Sequence, residues 1–169
     1  MNPSPPAPAV GKPVRASQSE MTEVVLPNDA NTLGNILGGK VMHLVDICGA
    51  IAAHRHAASY VVTASVDHMD FRNPIRVGDL IVLQASVNRV FKTSLEAGVK
   101  VFSENPLTGE RQHTSSAYLT FVALDEYGRR TEIPPVVPET EEERRRFEQA
   151  GARRQYRLFE RSRKENSRV

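Results

Sequence analysis

At 169 residues, with 40% apolar and 25% charged residues and a formal net charge of +2, the chain has the composition of one globular domain with a full core. It is no polycation, so a polyanionic partner would have to be met by a local cluster. Its one cysteine excludes an internal disulfide, no Cys/His spacing suits zinc, and no apolar run reaches the ~20 residues of a membrane span.

The opening MNPSPPAPAVGKPVRAS carries five prolines and no apolar run of the signal-peptide kind. It reads as a disordered Pro-rich arm over residues 1–18, and with the lone thiol it points to a cytoplasmic protein. Residues 19–26 (SEMTEVVL) are β-leaning and closed by Pro27. The turn formers PNDANTLGN follow. A long helix then starts between Asn35 and Gly38 and fades around residues 55–57. Its Leu37, Val41, Leu44, Cys48 and Ile51 recur at steps of four and three, the period of one buried face. The opposite face carries Gly39, Met42, Asp46, Gly49, Ala50 and Ala53. That face is also small and apolar, so it too is expected to be buried, with one carboxylate in it. A buried carboxylate is costly unless it is paired, hydrated or used.

Beyond the helix the period changes to two. Strands are predicted over Val61–Phe71, Leu80–Phe91, Ser94–Ser103 and Arg111–Leu124. The turns between them are short, which predicts antiparallel neighbours. One helix covered by one such sheet makes an α+β domain over 19–133. The sheet covers a single face of the helix, so a second subunit is the simplest cover for the Asp46 face. Residues 134–169 form a Pro-rich connector (Pro134, Pro135, Pro138) and a charged C-terminal helix. Residues 139–169 hold ten Lys/Arg and seven Asp/Glu, with acids first and bases later, as a helix dipole favours. The arginines at 144–146 are interleaved with acids and read as a solvated face, not a nucleic-acid site. A narrow stripe of Phe147, Ala150, Tyr156, Leu158 and Phe159 is a candidate for docking on another subunit.

Several motifs go further: PNDANTLGNILGG (27–39), MHLVDICGAIAA (42–53), VVTASVDHMDF (61–71), FKTSLEAGVKV (91–101) and, more faintly, VPETEEERRRFE (137–148). In these the chain resembles the hotdog-fold acyl-CoA thioesterases, in particular the cytosolic long-chain and broad-range acyl-CoA hydrolases. The resemblance implies an antiparallel sheet wrapped around one long central helix. It implies that Asp46 is the general base or nucleophile and that Asn31 orients water or the thioester. The N–H groups of Gly38 and Gly39 would polarise the carbonyl, and Thr63 would place a hydroxyl beside the aspartate. For coenzyme A it implies contacts from His68 and from the Lys92-Thr93-Ser94 turn, with Arg89 a further candidate. No metal or resident cofactor is implied, since coenzyme A belongs to the substrate and product. The implied partners are copies of the same chain, as a dimer and further as a trimer of dimers, with no nucleic acid and no membrane.

The residues support this reading on chemical grounds. Thioester hydrolysis builds negative charge on the carbonyl oxygen, and a helix N-terminus offers unsatisfied N–H groups there. Glycines allow close approach, and a carboxylate can take a proton from water. Yet Gly38 and Asp46 are on the order of 12 Å apart along one helix. Both cannot grip one carbonyl, and the resemblance implies that two subunits pair so that the helix start and Asn31 of one face Asp46 of the other. Other readings compete. His43 stands one turn before Asp46 and would allow a His–Asp dyad, as a hotdog dehydratase or hydratase would want. Cys48 lies on the other side of the helix, with no evident base. His68 lies near Asp67 and Asp70, but strand neighbours point to opposite faces. A non-catalytic acyl-CoA-binding module would need neither Asn31 nor Asp46.

Overall fold

The computed structural model describes residues 10–166. The elements in chain order are β1 (Lys12–Pro13), β2 (Ser19–Val24), α1 (Gly38–Ala57), β3 (Tyr60–Val66), β4 (Leu80–Phe91), β5 (Ser94–Glu104), β6 (Arg111–Leu124), β7 (Val136–Val137) and α2 (Glu141–Asn166). Five strands form one antiparallel sheet in the order β2-β4-β5-β6-β3. The short turns of the β4-β5-β6 meander join neighbours, as the sequence predicts. The step from β3 to β4 departs from that expectation: β3 pairs with β6 at the far edge of the sheet. It also stops at Val66, well before Phe71. A bulge between Thr63 and Ser65 disturbs the register. The chain then runs on beside β6 with only scattered bonds, from Asp67 N–H to Tyr118 O and from Arg72 N–H to Thr114 O.

The sheet curls around α1. Leu83, Ala85, Leu95, Ala97, Val99 and Val101 point inward with Leu119, Phe121 and Ala123, and all are buried. They meet Val41, Leu44, Val45, Cys48, Ala52 and Ala53 of the helix. Small helix residues let the sheet come close. A methyl group at Gly49 would lie 3.3 Å from the Phe121 ring and 3.4 Å from Val99 Cγ2. This rotates the buried face from the predicted one, because Gly49 and Ala53 turn inward. Leu37 is an extended N-cap and stays largely exposed. Met42 and His43 are also exposed, so the Asp46 flank is open within one chain rather than buried.

Residues 12–18, expected within the disordered arm, are ordered. The β1 strand pairs in parallel with β7. Val14 and Ser17 are buried in a single 3-10 turn. Ser17 Oγ donates to Val14 O and accepts from Val87 N–H, and Lys12 Nζ donates to His56 O. These partners satisfy the polar groups that would otherwise favour solvent. Residues 1–9 of the predicted arm lie outside the described residues.

The second helix crosses the outer face of the sheet. It opens with a capping box in which Thr140 Oγ1 accepts from Glu143 N–H and Glu143 Oε2 accepts from Thr140 N–H. Ala150 is fully buried and Phe147 is packed against the core, so the first part of the apolar stripe docks on its own sheet. Tyr156, Leu158 and Phe159 remain exposed. Among the described residues no helix is long and apolar enough to cross a membrane.

Candidate active site

Asp46 sits about two turns into α1, on the flank that faces the edge strand β3. Thr63 Oγ1 donates to Asp46 Oδ1 at 2.6 Å. That short bond fixes the carboxylate plane against β3. Among the described residues nothing bonds Oδ2, and it is left to accept from a water. The carboxylate is partly buried and Thr63 is exposed, so a ligand can reach the pair from outside this chain.

Asn31 is spent in part on its own turn. Its Oδ1 accepts from Leu33 N–H at 3.0 Å and from Asn35 N–H at 3.1 Å. Gly34 follows at φ 76°, a left-handed position suited to glycine. The Asn31 amide nitrogen makes no hydrogen bond among the described residues and is free to donate outward. The turn delivers the chain to the start of α1. There Leu37 provides no side-chain cap, and Lys40 N–H and Val41 N–H both bond Leu37 O. The N–H groups of Gly38 and Gly39 keep no acceptor among the described residues. No atom lies within 4 Å of where a Cβ would stand at Gly39, so a ligand oxygen can approach the backbone. At Gly38 the Phe71 ring lies close, 3.5 Å from where a Cβ would stand.

The chain therefore brings Asp46 and Thr63 together and places Asn31, Gly38 and Gly39 at a separate point. The residues proposed for coenzyme A are also divided. Asp67, next to His68, bonds Tyr118, while Thr93 O accepts from Ala123 N–H. Those two positions on β6 are roughly 17 Å apart along the strand. His68 is exposed and pairs with Asp70 at 2.9 Å. Lys92 pairs with Glu132 at 3.4 Å, and Ser94 Oγ accepts from Arg154. Arg89 is committed to α2: it donates to Phe147 O and lies 4.2 Å from the centre of the Phe147 ring. His43 makes no bond to Asp46. Cys48 is buried, and burial pushes its thiol pKa up, so it is a packing residue and not a nucleophile. Among the described residues no cluster of His, Cys, Asp or Glu could hold a metal ion.

Four residues were given no role in the sequence reading, Phe71, Glu96, Arg153 and Arg157, and Asp67 was weighed only as a neighbour of His68. Glu96 is fully buried beneath α2 with both oxygens held by Arg153. A signal existed, since strand alternation puts Glu96 on the outer face and Arg153 and Arg157 stand one helical turn apart.

One central helix wrapped by a curled antiparallel sheet, with a carboxylate on its open flank, defines a hotdog domain of hydrolytic type. A family model described as the thioesterase superfamily matches residues 33–110. An uncharacterized acyl-CoA thioester hydrolase of Bacillus subtilis is 43% identical over 76% of this chain and 75% of its own length. A crystal structure of an apo-hexameric acyl-CoA thioesterase superposes with a TM-score of 0.86 at 45% identity, over 89% of this chain and 97% of that one. The acyl-CoA hydrolase of Staphylococcus aureus, solved with butyryl coenzyme A, coenzyme A and coenzyme A disulfide, superposes with a TM-score of 0.86 at 32% identity, over 92% and 95% of the two chains. Alanine variants of that hydrolase at one asparagine, one aspartate and one threonine have also been solved. Those three residues follow each other at the same spacing as Asn31, Asp46 and Thr63. The chain belongs to the thioesterase superfamily, within its acyl-CoA thioester hydrolases.

Proposed function

We propose that the protein hydrolyses acyl-CoA thioesters to free coenzyme A and a carboxylic acid at a site shared by two subunits. The observation that carries this reading is the Asp46 carboxylate, held by Thr63 with Oδ2 open on an exposed helix flank. Asp46 acts on the second reactant, water: Oδ2 takes its proton as the oxygen attacks the carbonyl carbon. The alternative, direct attack by Asp46, would give a mixed anhydride that water then cleaves. In either course the oxyanion is met by the N–H groups of Gly38 and Gly39 and by the Asn31 amide. As the tetrahedral intermediate collapses the C–S bond breaks, and the coenzyme A thiolate leaves and is protonated. No resident cofactor or metal enters.

Since Asp46 and Gly38 of one helix are on the order of 12 Å apart, Asn31 and the helix start of one subunit serve the Asp46 of its partner. The exposed edge strand β3 is where two copies meet, and such dimers assemble further as trimers of dimers. The hexameric state of the related crystal structure supports higher assembly. The chain is similar to the cytosolic acyl coenzyme A thioester hydrolase of Homo sapiens, 36% identical over 83% of this chain and 37% of that protein, which supports a cytoplasmic location.

The test is thiol release from a panel of acyl-CoA substrates. Asp46→Ala should lower kcat/KM by on the order of 10²–10⁴-fold. Asp46→Ala and Asn31→Ala proteins, each inactive alone, should regain up to about a quarter of wild-type activity after mixing and subunit exchange, because half the sites of a mixed dimer are then intact. Coenzyme A bound but never released from thioester by the wild type would sink the hydrolase reading. Absence of recovery on mixing would sink the shared site.

A further inference from the structure

The reaction proposed above uses no group of α2. Yet α2 is tied to the sheet by a connected set of charges that leads toward the site. Arg153 Nε and Nη2 donate to Glu96 Oε2 and Oε1 at 3.1 and 2.7 Å, and its guanidinium lies 3.7 Å from the centre of the Tyr118 ring. Asn88 Nδ2 donates to Glu96 Oε1 at 3.0 Å. One helical turn on, Arg157 Nη1 donates to Asp67 Oδ2 at 2.6 Å and stands 3.7 Å from Glu96 Oε2. The Arg157 and Asp67 side chains are 24% and 18% exposed, and that of Glu96 is not exposed at all. A pair so far withdrawn from water, with two partners sharing one cation, is not an ordinary surface ion pair.

Asp67 is the first residue after β3. Burial pushes its carboxyl pKa up, the Arg157 charge pulls it back down, and Glu96 adds to the upward push. Its main-chain N–H holds Tyr118 O, and the next main-chain bond to β6 is that of Arg72. Between those two points Met69 packs on the core and Phe71 lies over Gly38, half exposed. The segment 67–71 is thus pinned at its start by α2 and forms a wall at the N-terminus of α1.

We propose that Arg157, steadied by Glu96 and Arg153, is a positioning residue for thioester hydrolysis: through Asp67 it fixes the 67–71 segment and sets the Phe71 ring against Gly38 at the start of α1. This rests on the reaction proposed above. The charged C-terminal helix then acts on the site without touching substrate. A displaced Phe71 leaves the carbonyl badly seated, and small misplacements cost large factors in rate.

The chain has no tryptophan, so Phe71→Trp supplies a single indole on the segment, excited to the red of the four tyrosines and read without any turnover. In that background Arg157→Ala should lower the anisotropy of the indole. With Phe71 retained, Arg157→Ala should lower kcat/KM about tenfold with helical circular dichroism unchanged. Arg157→Lys should recover part of the loss, since an ammonium can hold Asp67 but not bridge to Glu96 as a guanidinium does. Asp67→Asn should match Arg157→Ala, and the double variant should lose little more than either alone. Unchanged anisotropy and unchanged kcat/KM in Arg157→Ala would overturn the proposal, as would losses in the two single variants that simply add. If Arg157→Ala does not fold, Arg157→Lys and Asp67→Asn decide it by the same readouts. If the wild type releases no coenzyme A, the hydrolase reading fails, and the proposal falls with it. A wild type that turns over while Arg157→Ala leaves both readouts unchanged sinks the positioning role alone.

Discussion

The two faces of one sheet hold their helices by different means. Inside, α1 is gripped chiefly by apolar contact, with polar bonds such as those of Ser19 to Cys48 O and Thr63 to Asp46 along its flanks. Gly49, Ala52 and Ala53 bring its axis close, and Phe121, Leu95 and Val99 fill the space. Outside, α2 buries only Ala150 completely and is held by Arg89, Arg153, Arg154 and Arg157. Arg89 and Arg154 lie over the rings of Phe147 and Phe91, and Arg153 over that of Tyr118. Packing tolerates little change of volume and is indifferent to salt. Charge pairs tolerate volume change but depend on both partners. Asp46, the proposed base, stands on the helix packed inside, and on the positioning proposal the charge-held helix reaches the site through Asp67. On that proposal the base and the helix that positions the wall lie on opposite sides of the sheet.

That contrast can be broken at its ionic end first. Glu96→Ala leaves Arg153 without its partner under α2, and should cost about 3 kcal/mol, the order found when one side of a buried pair is removed. Chemical denaturation would measure it, and a loss under 1 kcal/mol would mean the outer face is held by ring stacking instead. The inner face can be tested by volume. Gly49→Val forces a branched side chain into Phe121 and Val99, and should cost roughly 1–3 kcal/mol by overpacking.

A smaller effect comes from a buried histidine at the edge of the inner core. His56 is fully buried, and its Nε2 is 2.9 Å from Pro134 O while Nδ1 has no partner. Burial holds its pKa below the ordinary histidine value, against the pull of the Pro134 carbonyl. The folded protein therefore favours the neutral ring, and the unfolded chain takes up the proton first. The contribution is complete above the unfolded value of about 6.5 and is lost as pH falls below it. The melting temperature should drop between pH 7 and pH 5, and His56→Leu should flatten that drop.

Much of this was legible in the chain, and the reasons differ by element. The helix α1 showed its period because small and large apolar residues alternate on it. Strands β4, β5 and β6 showed theirs because a buried face demands alternation, and their hairpins begin at Lys92 and Asn105. Asn31, Gly38 and Asp46 stood out because turn formers and a carboxylate are conspicuous in an apolar run. The end of β3 was not legible, since 61–71 stays β-leaning throughout and the break is a tertiary matter of the bulge and the Asp67 bond. Nor was the order of the 12–18 segment, whose burial depends on Val87, Val136 and His56 far along the chain. Glu96 was missed for a related reason. On an outer face a carboxylate looks solvated until the helix that covers it is known.

The pairing of β1 with β7 has a consequence for how the protein is made. Lys12 leaves the ribosome ahead of the whole sheet, and its strand partner Val136 emerges more than a hundred residues later. Val14 and Ser17 wait as well, because the turn that buries them closes on β4. The nascent chain can complete its hairpins in order, but the β1 segment stays unsatisfied until Val136 and Val137 have been made. An early stop in translation, or a deletion that trims only the beginning, would leave the same seam unsealed.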